Sequence, residues 1–303
     1  MSNPIQDITN WRKGFMDYLV NAGRVELTIV AYLRDINLYT HWFEQVNKRA
    51  FEPGLLCAPD LREYRAYLLT KKVKASTWNR KRASLKVFTV WCQANNYVVG
   101  NPMQGVEPME IQELSPFWLT PEDFRKLRRQ FDIEVNTARS DAWRRQFIRN
   151  RAIAALILYC GLRPGEVVKL DVSDLLLKER SGDVRIRAGK GEKEAEQPVG
   201  AEARQAISAW LEVYPHAGAL FTGKGSKRIT VRQVERELNR VAAEAGLTDF
   251  HAHCLRHTFG RRLHENGTPE HMLQDLMRHK SFRTTKRYIQ FGREDYAAAV
   301  ENL

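Results

Sequence analysis

The chain has 303 residues, 43% of them hydrophobic, with 48 Lys and Arg against 36 Asp and Glu for a formal charge of +12 and a pI near 9.6. That is long enough for two packed domains and too hydrophobic for a disordered chain. The longest apolar run, AIAALILYC at 152–160, falls short of the ~20 residues a spanning helix needs, and the basic balance points to polyanionic partners.

The N-terminus, MSNPIQDITNWRKGF, lacks the pattern of a secretory leader. Cys57, Cys92, Cys160 and Cys254 are scattered through the chain, which suits reduced thiols and a cytoplasmic protein.

The first third reads as helices. ELTIVAYLRDINLYTHWFEQV places Ile29, Tyr32, Leu33, Ile36, Tyr39, Trp42 and Phe43 on one stripe at helical period. STWNRKRASLKVFTVWCQANN does the same with Leu85, Phe88, Trp91 and Cys92, and its other face shows Asn79, Arg80, Arg82 and Lys86. Such regular aromatic spacing indicates core, with the cations turned outward. Between Leu61 and Val90 stand nine Lys or Arg and one acid, so this stretch carries +8 of the total. Within it, Lys71, Lys72, Lys74, Arg80, Lys81, Arg82 and Lys86 are candidate contacts to a nucleic-acid backbone, because each cation set on a phosphate releases counterions.

Periodicity fails over GNPMQGVEPMEIQELSP, 100–116, which holds three prolines and two glycines. We draw the domains at 1–106 and 118–303, with a linker at 107–117. The second domain opens with LTPEDF, where Thr120 suits an N-cap and Pro121 the first helical position. A helix from about Ser140 runs to Gly161. DVRIRAG alternates as a strand, KGEKEAE is a polar turn and QPV a short return strand. Helices follow at about 201–213 and 231–245, the latter with a Thr230/Gln233 capping box. Three more close the chain, one in HCLRHTFGRRLHE, one opened by TPEHML and one in REDYAAAVENL.

In FHAHCLRHTFGRR, His253, Arg256 and His257 share a helix face at spacings of three and four. A zinc site there is disfavoured: Cys254 points off that face, Arg256 and Arg261 repel a cation, and no second ligand cluster follows at finger spacing. Elsewhere, Arg163 stands just past a helix end ahead of Pro164, well placed to offer its planar fork to phosphate oxygens. Glu166, three residues on, is placed to orient a nearby charged side chain. Lys190 lies between Gly189 and Gly191, which permit a tight turn. His279 precedes Tyr288 by nine residues.

These boxes together resemble the tyrosine recombinases, the phage-type integrase or Xer-like family. The carriers are Gly161-Leu162-Arg163-Pro164-Gly165-Glu166, Gly189-Lys190-Gly191, His253-Cys254-Leu255-Arg256-His257-Thr258-Phe259, and the pair His279 and Tyr288. TWNRKRASLKVFTVWCQANNYVVGNP also looks like the end of the family's core-binding domain, so the resemblance covers most of the chain. One box is modestly specific and four in register are highly so. There are two departures: Arg278 stands where the family often has glycine, and IQF follows Tyr288 where many relatives carry Thr-His.

The resemblance implies a mostly α fold: a helical, SAM-like core-binding domain and an α+β catalytic domain with a small antiparallel sheet. It implies a site-specific DNA recombinase that integrates, excises or resolves DNA elements through a 3′-phosphotyrosine intermediate. Six residues would be catalytic. Arg163 and Arg256 grip the non-bridging oxygens, Tyr288 attacks, His253 is the base, Lys190 the acid, and His279 bonds the scissile phosphate, with Glu166 and His257 in support. The chemistry agrees, since two guanidiniums suit the extra negative charge of a pentavalent transition state. No Walker-type GxxxxGK[ST] and no cluster of acids for magnesium stands out, so no cofactor and no metal are expected. The partners implied are specific duplex DNA sites and three further copies of the chain, in a tetramer on two duplexes, joined by the C-terminal helix. The expected place is the cytoplasm, on the bacterial nucleoid when DNA is bound. A type IB topoisomerase-like strand transferase and a non-catalytic DNA-binding protein on the same fold are the competing readings.

Overall fold

A computed structural model describes residues 11–111, 117–187, 194–279 and 281–285. The chain divides into two compact units, Met1–Glu113 and Leu114–Leu303. Lys190, Tyr288 and the helix expected in REDYAAAVENL lie outside the described residues.

The first unit is built from α1 (Trp11–Asn21), α2 (Glu26–Asn47), α3 (Ala58–Thr70) and α4 (Ala75–Ala94). Each helix brings an apolar stripe at three- and four-residue spacing: Trp11, Phe15 and Leu19 from α1, Leu61, Tyr64 and Leu68 from α3. The stripes meet in a core dense with rings, where Phe15 and Phe88 meet edge to face at 5.0 Å and Phe43 and Phe51 at 5.2 Å. Such geometry sets the positive edge of one ring on the negative face of the next.

The polar face expected on α4 is only partly turned to water. Lys81 is 7% exposed, and its Nζ lies 3.4 Å from Asp35, a fully buried carboxylate on α2. Arg80 pairs with the same acid, and Ser84 donates to it at 2.9 Å. Further along, Asn79 exchanges two 2.8 Å hydrogen bonds with the backbone of Met109, Trp78 donates to Glu107 O, and Arg82 donates to Val106 O. Stretch 106–109, devoid of periodicity, is thus held along α4 by side chains that satisfy its backbone groups.

In the second unit α5 (Pro121–Asn136), α6 (Asp141–Cys160), α8 (Ala201–Val213), α9 (Val231–Glu244) and α10 (Ala252–Glu265) surround one core. The run at 152–158 is buried on all sides because α6 is the central helix, packed on α5, α8, α9 and α10. The capping residues read in the sequence act as such: Thr120 Oγ1 accepts from Asp123 N, and Thr230 forms a capping box with Gln233; Ser140, read only as a helix start, also caps, its Oγ accepting from Trp143 N. Strands β1 (Leu175–Leu177), β2 (Gly182–Ile186) and β3 (Ala195–Pro198) form an antiparallel sheet in the order β1-β2-β3, with Val184 opposite Gln197. Short helices α7 (Pro164–Val167), α11 (Glu270–Leu276) and α12 (Phe282–Thr285) flank the larger ones.

Candidate active site

The site begins where α6 stops. Gly161 caps that helix in the left-handed region at φ 64°, which costs a glycine nothing. The ring of Phe259 from α10 sits where a Cβ would be, 2.4 Å from that position. No other residue lets the chain turn here so close to α10. The turn delivers Arg163 as the N-cap of α7, and Glu166 Oε2 accepts from its backbone N–H at 2.7 Å.

Three segments far apart in sequence then converge. Arg256 on α10 is 1% exposed, and its guanidinium donates to Gly161 O and to Met277 O. Arg163 donates through one terminal nitrogen to Glu166 Oε1 at 2.6 Å and through the other to Arg278 O at 3.1 Å, while its side chain stays 36% exposed. Both guanidiniums therefore donate to adjacent carbonyls of one backbone stretch, 277–278, and each has a second acceptor, Glu166 for Arg163 and Gly161 O for Arg256. His253 and His257 share the Arg256 face of α10, with ring centroids 4.8 Å apart. His279 follows α11, its Nδ1 2.9 Å from Thr285 Oγ1.

The electrostatics follow from this crowding. Burial, then the charges of Arg256 and neighbouring groups, push His253 down to about 4. Burial and His253 push His257 to about 3, and burial with Arg256 and Arg163 push His279 to about 4. All three imidazoles are neutral at neutral pH. Burial alone would raise Glu166, but Arg278 and the amide and guanidinium of Arg163 outweigh it, so this carboxyl stays below the ordinary range. Cys254 plays no part in the cluster. Its thiol is buried, accepts from His251 N at 3.4 Å, and is pushed up to about 11 by that burial.

Arg163, Glu166, His253, Arg256, His257 and His279 are thus brought together. Lys190 and Tyr288 lie outside the described residues. Two further residues belong to the group: Arg278, noted in the sequence only as a departure from the family pattern, and Gln197, not singled out at all. Arg278 reaches Glu166 Oε2 and Gln197 Oε1, both at 2.7 Å. Its backbone is left-handed, with φ 49°, a conformation that glycine adopts readily, and the sequence signal was the arginine standing where the family often has glycine. Gln197, buried on β3, carried no signal. Chemically, the cluster offers planar donor forks to an anion and neutral imidazoles to a proton.

Of the seven candidate DNA contacts in the first unit, Lys71, Lys72, Lys74 and Lys86 are exposed, and Arg80 and Arg82 are half-buried. Lys81 is inside, bound to Asp35. Its place in the cationic run is a core position, because the acid that holds it lies on another helix.

The model of the phage integrase family matches residues 125–294, and that of the phage integrase N-terminal SAM-like domain matches residues 13–96. The tyrosine recombinase XerC of Chromobacterium violaceum is 30% identical over 278 residues, covering 90% of this chain and 87% of that protein. XerC of Corynebacterium glutamicum is 28% identical over 271 residues, covering 88% and 82%. Among solved structures, a lambda integrase dimer bound to a COC′ core site aligns with a TM-score of 0.71 at 15% identity, covering 94% of this chain and 96% of that one. The XerH site-specific recombinase bound to a palindromic difH substrate aligns at 0.70 and 21% identity, covering 90% and 79%. These two establish the fold. With the family models and the XerC sequences, they establish that the chain belongs to the phage integrase family and is a tyrosine-type site-specific recombinase.

Proposed function

We propose that this recombinase cuts duplex DNA by attack of the Tyr288 phenolic oxygen on the scissile phosphorus, forming a 3′-phosphotyrosyl bond as the bond to the 5′ oxygen breaks. The phenolic proton passes to His253, and Lys190 gives a proton to the leaving 5′ oxygen. Rejoining is the same step reversed with another 5′-hydroxyl, and the protein–DNA ester conserves the bond, so no nucleotide cofactor is consumed. Arg163 and Arg256 hold the non-bridging oxygens, and His279 bonds the same phosphate.

One observation carries this reading. Two guanidiniums from segments far apart in sequence are anchored to adjacent carbonyls of one backbone stretch, 277–278, beside three neutral imidazoles. A preorganised pair of this kind pays no reorganisation when charge develops on phosphorus. A free-enzyme His253 near 4 is a weak base, but the incoming phosphate is anionic and raises it toward neutrality.

The exposed Lys71, Lys72, Lys74 and Lys86 supply backbone contacts to the same DNA. The finer reading is a tetramer on two duplexes, linked by the segment after Gly292 and acting on mobile elements in the cytoplasm. Deleting that segment should spare DNA binding and impair recombination, and recombination at the full rate would count against it. The cleavage reading is tested with a pool of short nicked duplexes of random sequence. Covalent protein–DNA adduct should form with the wild type and vanish in Tyr288→Phe. Absence of any adduct from the wild type would leave a DNA-binding protein only. Supercoil relaxation at sites acting singly would instead indicate a topoisomerase.

A further inference from the structure

Arg278 is held in a way a surface arginine is not. Its backbone is left-handed at φ 49°, a conformation that Cβ disfavours. Its side chain is 14% exposed, and its Nε is buried without a partner. Backbone strain and an unsatisfied buried donor together mark a position that the surroundings enforce.

Its contacts show what it joins. One terminal nitrogen donates to Gln197 Oε1 at 2.7 Å and to Leu276 O at 3.3 Å. The other donates to Glu166 Oε2 at 2.7 Å and to Gly161 O at 3.2 Å. Gln197 stands on β3, and Glu166 belongs to α7. The carbonyl of Arg278 accepts from Arg163, and that of Met277 accepts from Arg256. The left-handed turn at Arg278 therefore aims one carbonyl at Arg163 while its side chain reaches back to the acid that holds the same arginine. Each terminal nitrogen of Arg278 serves two protein acceptors, one for each of its N–H groups, so this side chain has no terminal donor left to act as a third clamp on phosphate.

We propose that Arg278 is a positioning residue for strand cleavage: it ties strand β3 to Glu166 and, through Glu166, fixes the guanidinium of Arg163. Glu166 Oε2 is occupied by Arg278 and by the Arg163 amide, which leaves Oε1 to grip the Arg163 side chain at 2.6 Å. Without the Arg278 cation, this buried carboxylate would have less reason to stay ionised, and a protonated Glu166 grips a guanidinium poorly.

The inference rests on the cleavage reading, and the test keeps the two apart. The full-length protein and a duplex captured from the random nicked pool are used for single-turnover cleavage across pH, with DNA affinity measured separately. Arg278→Gln should slow cleavage by about tenfold or more, as misplacement of a clamp does, with DNA affinity little changed. Its acid limb should move to higher pH. The charged groups facing Glu166 are Arg163, Arg278 and His253, and only Arg278 has been removed. Arg278→Lys should return the acid limb toward that of the wild type. Gln197→Ala should also slow cleavage, and adding it to Arg278→Gln should cost little more. Should Arg278→Gln not fold, Arg278→Lys and Gln197→Ala carry the test. Cleavage by Arg278→Gln at the wild-type rate and acid limb overturns the proposal. So does a fall in DNA affinity as large as the fall in rate, which would make Arg278 a phosphate contact. Failure of the wild type to form adduct removes the cleavage reading instead.

Discussion

Asp35 and Glu166 each gather cations, and they do opposite things with them. Asp35 in the first unit takes Arg80, Lys81 and Ser84 from a single turn of α4, and its side chain is wholly buried. Glu166 in the second takes Arg163 and Arg278, 115 residues apart in sequence, with the Arg163 guanidinium donating to the Arg278 carbonyl, and leaves Arg163 36% exposed. Asp35 neutralises charge to fasten one helix to another, whereas Glu166 holds a guanidinium that stays partly exposed, which the proposed function directs at phosphate. Membership of a dense cationic run thus does not by itself put a residue at an interface, as Lys81 shows. Cations drawn together from distant segments are a better guide to one.

The contrast breaks first at the chemistry. Arg163→Ala or Arg256→Ala should lower single-turnover adduct formation by about 10²–10³-fold, the usual effect of removing a preorganised donor from a developing anion. Asp35→Ala should leave the rate of folded protein much less affected. It should instead lower folding stability by about 3 kcal/mol, because Lys81 would be left buried without its acid. Burial already holds the Lys81 ammonium below its ordinary pKa, with Asp35 working against that shift. Urea unfolding measures the loss, and an unchanged midpoint would show that the pair only decorates the α2–α4 contact.

Gly161→Ala strikes at the common anchor of Arg256 and Arg278, whose guanidiniums both donate to its carbonyl. The left-handed backbone and the overlap with Phe259 should together cost about 2 kcal/mol, again read by urea unfolding. Phe259→Leu should restore part of this if the ring is the obstacle, and none if the backbone alone is.

The imidazoles give the contrast a pH dependence. His253, His257 and His279 titrate well below 6.5 when folded, so the unfolded chain binds protons that the folded chain excludes. Stability is then full above about pH 6.5 and falls as pH drops toward about 4. His253→Asn should flatten part of that slope in unfolding measured across pH. Bound DNA should do so too, by supplying the negative charge that favours imidazolium. An equal slope in the variant would place His253 in water.

Much of this was legible in the residues. Thr120, Ser140, Thr230 with Gln233, and Gly161 mark helix ends because side-chain oxygens and a left-handed glycine are what orphaned backbone groups require. The histidine box was legible because its spacing fixes a helix face, and the arginine box through its resemblance to the family. Strand β1 was not: Leu175–Leu177 is three identical residues with no alternation to read. Nor was the direction of Lys81, since periodicity on α4 says nothing of an acid 46 residues earlier on α2. Arg278 was visible as an added charge, but its partners Glu166 and Gln197 lie 112 and 81 residues away, a distance only the fold closes.

The smallest effect is the sharpest test of how the two carboxylates differ. Each exposed lysine that meets a phosphate releases counterions, so Lys71→Ala, Lys72→Ala, Lys74→Ala and Lys86→Ala should each reduce the slope of log affinity against log salt by about 0.9. Their effect on folding should be slight, because solvated cations hold little in place. Lys81→Met should do the reverse. Its ammonium is spent on Asp35, so the salt slope should stay that of the wild type, while the unfolding midpoint should move. A salt slope that fell equally for Lys81 would mean that DNA draws this side chain out of the core, and the division between cations that build and cations that bind would fail at the residue where it is most clearly drawn.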